Sequence, residues 1–309
     1  MSFPYLSDLI NYYFGTSWNI PIAMFGTFVA AAILISTTVA KIEVQRFQSL
    51  GLIPNAISPS NVVLPTDQLL SNLAIVSVIF GILGARIFHI FEYPIEFLEN
   101  PLGMIFTRSG LSIYGGLICG GVAGAIYVKK YSLPLLPMLD ALSPSIALGY
   151  GIGRIGCQVS GDGDWGLASN MLLKPEFIPS WLWAQTYENN IAGVLIPNPG
   201  VYPTPIYEAV TAFSIFICLW VKRKNNYSAG YMFSLYLLLS GFSRLLIEKI
   251  RINSEYQFLN INITQAELIS TVFVLVGLYG VLNSLSEKKY LKLALSFVVI
   301  GALTACSQL

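Results

Sequence analysis

The sequence predicts an all-α, polytopic integral membrane protein with seven core transmembrane helices, an eighth apolar segment at its C-terminal side and a small extracytoplasmic cap. Three observations predict it. Of the 309 residues 55% are hydrophobic and only 11% charged, against about 25% charged in soluble domains. The mean hydropathy is +0.66. Apolar runs long enough to span a bilayer, about 17–25 residues each, recur along the chain.

In chain order the runs cover residues 18–40, 69–91, 111–128, 136–156, 205–221, 229–248, 266–285 and, as the eighth, 291–307. Residues 1–21 carry only Asp8 and lack the basic n-region of a cleavable signal peptide, so the first helix is expected to stay as an anchor. One set of loops holds Lys41, Arg46, Lys129, Lys130, Lys222, Arg223, Lys224, Lys288, Lys289 and Lys292, whereas the opposite set holds only Arg108, Lys174, Lys249 and Arg251. Basic loops stay cytoplasmic, which places the N-terminus outside. The longest polar segment, 162–204, with Trp165, Trp181 and Trp183, is then the outer cap. Residues 1–285 form the expected transmembrane domain and 286–309 an appended segment.

Composition also excludes. Cys119, Cys157, Cys218 and Cys306 show no CxxC spacing, which supports neither a disulfide framework nor a metal site. A net charge of +1 without a basic stripe argues against nucleic acid. No internal repeat is visible.

The chemistry concentrates at residues 149–166, where seven glycines and the short polar Ser160, Asp162 and Asp164 surround Arg154. A charge at membrane depth costs several kcal/mol and marks a functional site. Glycines let backbone N–H groups approach a ligand. The stretch therefore reads as an anion site at the membrane–water boundary. Arg86, Arg154 and Arg244 fall inside predicted helices, as do Asp140, Glu208 and Glu248, which suggests one buried polar network. Arg244 and Glu248, four apart, share a helix face that Arg251 continues. Guanidinium binds phosphate oxygens bidentately where lysine does not, so Arg154 and Arg244 are the candidate phosphate clamp.

These residues also carry a resemblance. Gly153-Arg154-Ile155-Gly156, then Ser160-Gly161, then Trp165-Gly166 resembles the signature of the prolipoprotein diacylglyceryl transferase family. So, in order, do Gly84-Ala85-Arg86, the segment 111–118 around Ser112-Ile113-Tyr114-Gly115-Gly116, the segment 202–208 ending in Tyr207-Glu208, and the segment 241–251 from Gly241 to Arg251. The likeness runs from about Leu69 to Leu285. Both histidines of the family motifs are tyrosines here, Tyr114 and Tyr202; the asparagine after Gly-Arg-hydrophobic-Gly is Cys157; and the segment Asp162-Gly163-Asp164 is one residue longer than usual.

The resemblance implies transfer of the diacylglyceryl group of phosphatidylglycerol to the lipobox cysteine of prolipoprotein signal peptides, in a bacterial cytoplasmic membrane, without a cofactor. Arg154, Arg244, Glu248 and Tyr114 are the expected catalytic residues. Arg154, Arg86, Ser160, Gly161, Gly166, Tyr207, Glu208 and Arg251 are expected to bind substrate. Ionising a thiol of pKa near 8.5 at pH 7 costs only about 2 kcal/mol, so Glu248 is read as orienting Arg244 rather than as a strong base. Tyr114 is read as a hydrogen-bond donor, Cys157 as a small packing residue, and His89, the only histidine, as an interfacial residue. A lipid or organic-anion transporter also buries arginines and glutamates, but brings inverted repeats not seen here; a relative that binds lipid without catalysis is a third reading.

One segment stands outside the resemblance. Lys288-Lys289-Tyr290-Leu291-Lys292 leads into an apolar run and then Leu303-Thr304-Ala305-Cys306. It reads either as an eighth helix of small residues that ends in cysteine, or as a basic n-region, an apolar h-region and a lipobox.

Overall fold

The computed structural model describes residues 1–106, 112–225, 227–252, 255–258 and 261–284. For residues 106, 113, 114, 255–258 and 261–263 it describes the backbone alone. The eighth predicted segment and Cys306 lie outside the described residues.

In chain order the helices are α1 Leu6–Phe14, α2 Met24–Ser49, α3 Leu69–Glu92, α4 Pro94–Glu99, α5 Pro101–Phe106, α6 Ile113–Lys130, α7 Leu135–Ser160, α8 Ser180–Trp183, α9 Thr204–Lys222, α10 Tyr231–Glu248 and α11 Gln265–Ser284. Two short antiparallel hairpins accompany them: β1 Ala56–Ile57 with β2 Val63–Leu64, in register Ala56 to Leu64, and β3 Glu255–Phe258 with β4 Ile261–Thr264, in register Glu255 to Thr264.

Each of the seven core runs is a helix. Five, in α2, α3, α7, α9 and α11, are long and apolar enough to cross a membrane. The other two, α6 and α10, have 18 residues each. Charge dilutes their hydropathy: α6 ends in Lys129-Lys130, and α10 carries Arg244 and Glu248. The outward faces fit lipid. Ile75, Ile79, Phe80, Ile82 and Leu83 of α3 are each about half exposed, an apolar surface that a soluble protein would cover.

The first predicted run begins at residue 18 and does not include α1. This short helix is capped where the Tyr5 N–H donates to Asp8 Oδ2 at 2.9 Å. It exposes Tyr12, Tyr13 and Phe14, aromatic residues of the kind that settle at a membrane interface.

The described residues pack as two compact units, one made of those within Met1–Ser36 and from Ser143 on, the other of those within Thr37–Leu142. The second has a core of Val44, Ile53, Leu69, Leu70, Val128 and Met138. Within it α3 and α6 meet closely, as the spacing of Gly116, Gly120 and Gly124 predicts: a Cβ on Gly120 would lie 2.8 Å from the Ser77 carbonyl oxygen. The first unit centres on Leu219, Tyr231, Met232, Leu238, Leu245 and Val274.

The glycine-rich stretch departs from its expected conformation. The predicted run ends at Gly156, with the glycine N–H groups expected to approach a ligand, but α7 continues to Ser160, so the N–H groups up to that residue are engaged in the helix. It stops where Gly161 takes φ +63°, with its N–H on the Cys157 carbonyl at 3.0 Å.

Candidate active site

The first unit gathers charged side chains at one end of three helices. Glu208 stands in the second turn of α9 and is 1% exposed. Its Oε2 forms an ion pair with Arg154 Nε of α7 at 2.6 Å. Its Oε1 accepts from Arg244 Nη1 of α10, and Arg251 Nη1 lies 3.4 Å away. Asp164, in the segment after α7, accepts from both Arg154 Nη1 and Arg251 Nη2. Glu248 closes the set: it pairs with Arg244 Nη2 at 3.1 Å, and Thr264 Oγ1 donates to it at 2.7 Å.

Three guanidiniums and three carboxylates thus alternate in one cluster. Breaking such a buried pair by deleting one partner costs about 3–5 kcal/mol, so each member holds its neighbours in place. Tyr150, one helical turn before Arg154, sets its ring 5.0 Å from the Arg154 guanidinium carbon, in range of a cation–π contact.

The segment between α7 and α9 holds Asp164 there. Trp165, Tyr187, Ile196 and Val201 form a small core of their own. Tyr187 donates to Gln158 Oε1 at 2.7 Å, which ties this core to α7. Thr204 Oγ1 donates to the Asp164 carbonyl at 2.7 Å. Gly166 bridges to Arg251, its N–H donating to the Tyr202 carbonyl at 2.8 Å; a Cβ there would collide with the Ile250 carbonyl oxygen. Only glycine allows that approach.

The two acids of the insertion differ. Burial alone would raise the Asp164 carboxyl, but Arg154 and Arg251 outweigh it and hold it below the ordinary carboxylate range. Asp162 is pushed up by burial and then by the charge of Asp164. Cys157 Sγ and the Asp162 and Asp164 carboxylates have ligand atoms within 4.8 Å of one another, a spacing that could hold a metal ion. Arg154 and Arg251, already on Asp164, oppose a cation there.

Of the expected site residues, Arg154, Glu208, Arg244, Glu248 and Arg251 come together, with Gly166 beside Arg251. Arg251 does so differently from expectation: α10 ends at Glu248, and the chain turns back rather than continuing the helix face. Ser160 Oγ donates to the Gly156 carbonyl at 2.9 Å, and Gly161 caps α7. Tyr207 donates to the Leu182 carbonyl at 2.5 Å, toward the cap rather than the cluster. The hydroxyl of Tyr202 accepts from the Asn170 N–H at 3.2 Å.

Cys157 Sγ lies 3.8 Å from Arg154 Nη1. Arg86 and Asp140, expected in the same network, belong to the second unit, where Arg86 donates to the Met104 carbonyl at 3.0 Å and Asp140 is buried. Tyr114 stands in the first turn of α6, with its side chain outside the description. His89 packs against Tyr93, with ring centroids 4.9 Å apart. Sequence reasoning missed Asp164, Tyr150 and Thr264 as partners. The insertion pointed to the first, and the four-residue spacing from Arg154 to the second.

The chain matches the family model described as prolipoprotein diacylglyceryl transferase over residues 13–283. It is similar to three proteins called phosphatidylglycerol–prolipoprotein diacylglyceryl transferase. That of Leptospira interrogans is 27% identical over 330 residues, covering 91% of this chain and 94% of the relative. That of Staphylococcus haemolyticus is 30% identical, covering 87% of each. That of Clostridium tetani is 34% identical over 188 residues, 58% of this chain and 67% of the relative. With this match over most of its length and with Arg154, Arg244 and Glu208 joined in one buried cluster, the chain belongs to the prolipoprotein diacylglyceryl transferase family.

Proposed function

We infer that the protein transfers the diacylglyceryl group from phosphatidylglycerol to the lipobox cysteine of prolipoproteins, forming a thioether and releasing glycerol phosphate. The observation that carries this reading is the pair of guanidiniums, Arg154 and Arg244, held by one buried carboxylate, Glu208. Among the described residues, no carboxylate takes Arg154 Nη2 or Arg244 Nε. Those donors remain for the phosphodiester oxygens and for the charge that grows on the leaving phosphate.

The acceptor thiol attacks the glyceryl carbon bearing the phosphate; a C–S bond forms, the C–O bond breaks, and the thiol proton passes to water. Ionising the thiol is a small part of the barrier, so the cluster acts mainly by binding and charge stabilisation. Glu248, tied to Arg244 and to Thr264, orients the guanidinium. Arg86 and Tyr114, through their family motifs, supply further donors to the substrate.

The membrane arrangement follows the charges. α6 and α10 join the five apolar helices as a seven-helix core in the bacterial inner membrane, with the N-terminus, the 162–204 cap and the arginine cluster on the outer side. The purified protein, in vesicles of phosphatidylglycerol, is expected to lipidate a synthetic lipobox peptide. No thioether product under those conditions would refute the reading.

A further inference from the structure

We propose that the segment between α7 and α9 binds the prolipoprotein as an extended strand: the residues that follow its acceptor cysteine add to a free β-edge at residues 184–186. The proposal rests on the transferase reading above and deepens it by assigning where the peptide chain lies.

The edge belongs to a small sheet within that segment. Val201 bridges antiparallel to Ala168 on one side and to Gln185 on the other. Gln185 and Val201 exchange both backbone bonds, each N–H donating to the other's carbonyl at 3.0 Å. In such a pair the peptide groups of the flanking residues point the opposite way, here away from Val201. Ala184 is extended, with φ −144° and ψ 132°, and Tyr187, at φ +43°, ends the stretch. Among the described residues, no hydrogen bond reaches the Ala184 carbonyl, the Thr186 N–H or the Thr186 carbonyl.

Ala184 and Thr186 line a cavity of about 550 Å³, together with Phe3, Leu9, Trp181 and Ile206. None of its lining side chains is Asp, Glu, Lys or Arg. The amides that reach it are engaged: Gln158 Nε2 donates to Gln185 Oε1 at 2.7 Å, and Gln185 Nε2 to the Trp181 carbonyl at 2.8 Å. The cavity therefore offers apolar walls and unpaired main-chain groups without a charged side chain. An anionic headgroup finds no guanidinium or ammonium there. An acyl chain would leave buried peptide groups without partners. An extended, uncharged peptide satisfies both, by adding a strand to the edge.

α7 ties the cavity to the arginine cluster. Gln158, which also lines the cavity, stands four residues after Arg154 in that helix, on the same face and about 6 Å further along. An extended chain covers that distance in about two residues. With the acceptor thiol at the cluster, the peptide enters the cavity from about the second residue after the cysteine.

The test uses the purified full chain in phosphatidylglycerol vesicles and a synthetic lipobox peptide that continues with uncharged residues after its cysteine. Residues two to five after the cysteine are methylated at the backbone nitrogen, one at a time. An added strand turns alternate N–H groups toward the edge. Methylation at alternate positions should therefore raise KM at least tenfold, and at the positions between them less than threefold, with kcat within twofold throughout. A peptide that stops one residue after the cysteine should show the raised KM. A photoreactive group on the third residue after the cysteine should cross-link to residues 181–186. If the peptides are lipidated but KM ignores truncation and methylation, or rises equally at all four positions, the proposal is overturned and the transferase reading stands. Cross-links only outside 181–186, or cross-linking of that stretch by a photoreactive acyl chain of phosphatidylglycerol and not by the peptide, also overturn it. If no peptide is lipidated, the transferase reading falls and the proposal with it.

Discussion

Replacing Asp164 by asparagine tests the charge cluster at the member that joins the segment after α7 to the helices. The substitution keeps the shape and removes one of three negative charges facing three guanidiniums. Its two partners are deeply buried, Arg154 and Arg251 having side chains 8% and 6% exposed, while the Asp164 side chain is 26% exposed. Deleting one member of a fully buried pair costs about 3–5 kcal/mol, and partial access of water lowers this to about 2–3 kcal/mol. If that energy is lost from the transition state, kcat/KM falls about 30- to 150-fold, at 1.4 kcal/mol per factor of ten.

The assay is the transfer rate from phosphatidylglycerol vesicles to a lipobox peptide, with thermal unfolding in detergent as the control for folding. Asp164→Glu should recover part of the loss. The pH dependence follows from the sign of the shift. Arg154 and Arg251 hold the Asp164 carboxyl low in spite of burial. Its contribution is therefore complete above the ordinary value near 4 and is lost only as pH falls through the depressed one. The ratio of parent to Asp164→Asn should be flat from about pH 5 to 8. Activity of a folded Asp164→Asn within threefold of the parent, or a ratio that bends in that window, would refute the reasoning.

Arg154→Lys should insert and fold yet lose transfer, because the ammonium keeps the charge without the fork that spans Glu208 and Asp164; near-normal lipidation of the peptide would remove Arg154 from the clamp. Arg244→Ala and Glu248→Gln should differ, the first inactive and the second retaining measurable activity, since the amide oxygen can still face Arg244 while its NH2 donates to the Thr264 hydroxyl. Equal loss in both, with Glu248→Gln recovering steeply as pH rises, would assign proton abstraction to Glu248. Asp162→Asn should raise Tm at pH 7: burial and Asp164 push this carboxyl up, so its charged form opposes folding, and the gain should vanish as pH falls toward 4. A fall in Tm at pH 7 would contradict that assignment.

The helices and the membrane were legible in the residues because hydropathy and helical spacing are local. The runs at 69–91 and 205–221 fall within one residue of α3 and α9 at either end. The small-residue face of α6 was equally readable, since one helix carries it whole. Arg244 and Glu248, four apart, could be paired before any fold was known.

The cluster itself could not. Asp164 and Arg251 are 87 residues apart, and Glu208 and Arg244 are 36 apart. No periodicity reports which carboxylate a guanidinium finds across such loops. Arg86 and Asp140 carry the same charges in the same kind of helix as Arg154 and Glu208, yet they pack in the other unit. Ser160 looked like an anion ligand and donates to its own helix instead. Residue type set which groups could bind a phosphodiester; packing of α7, α9, α10 and the segment after α7 chose among them, because a buried charge is stable only where partners converge on it from separate elements.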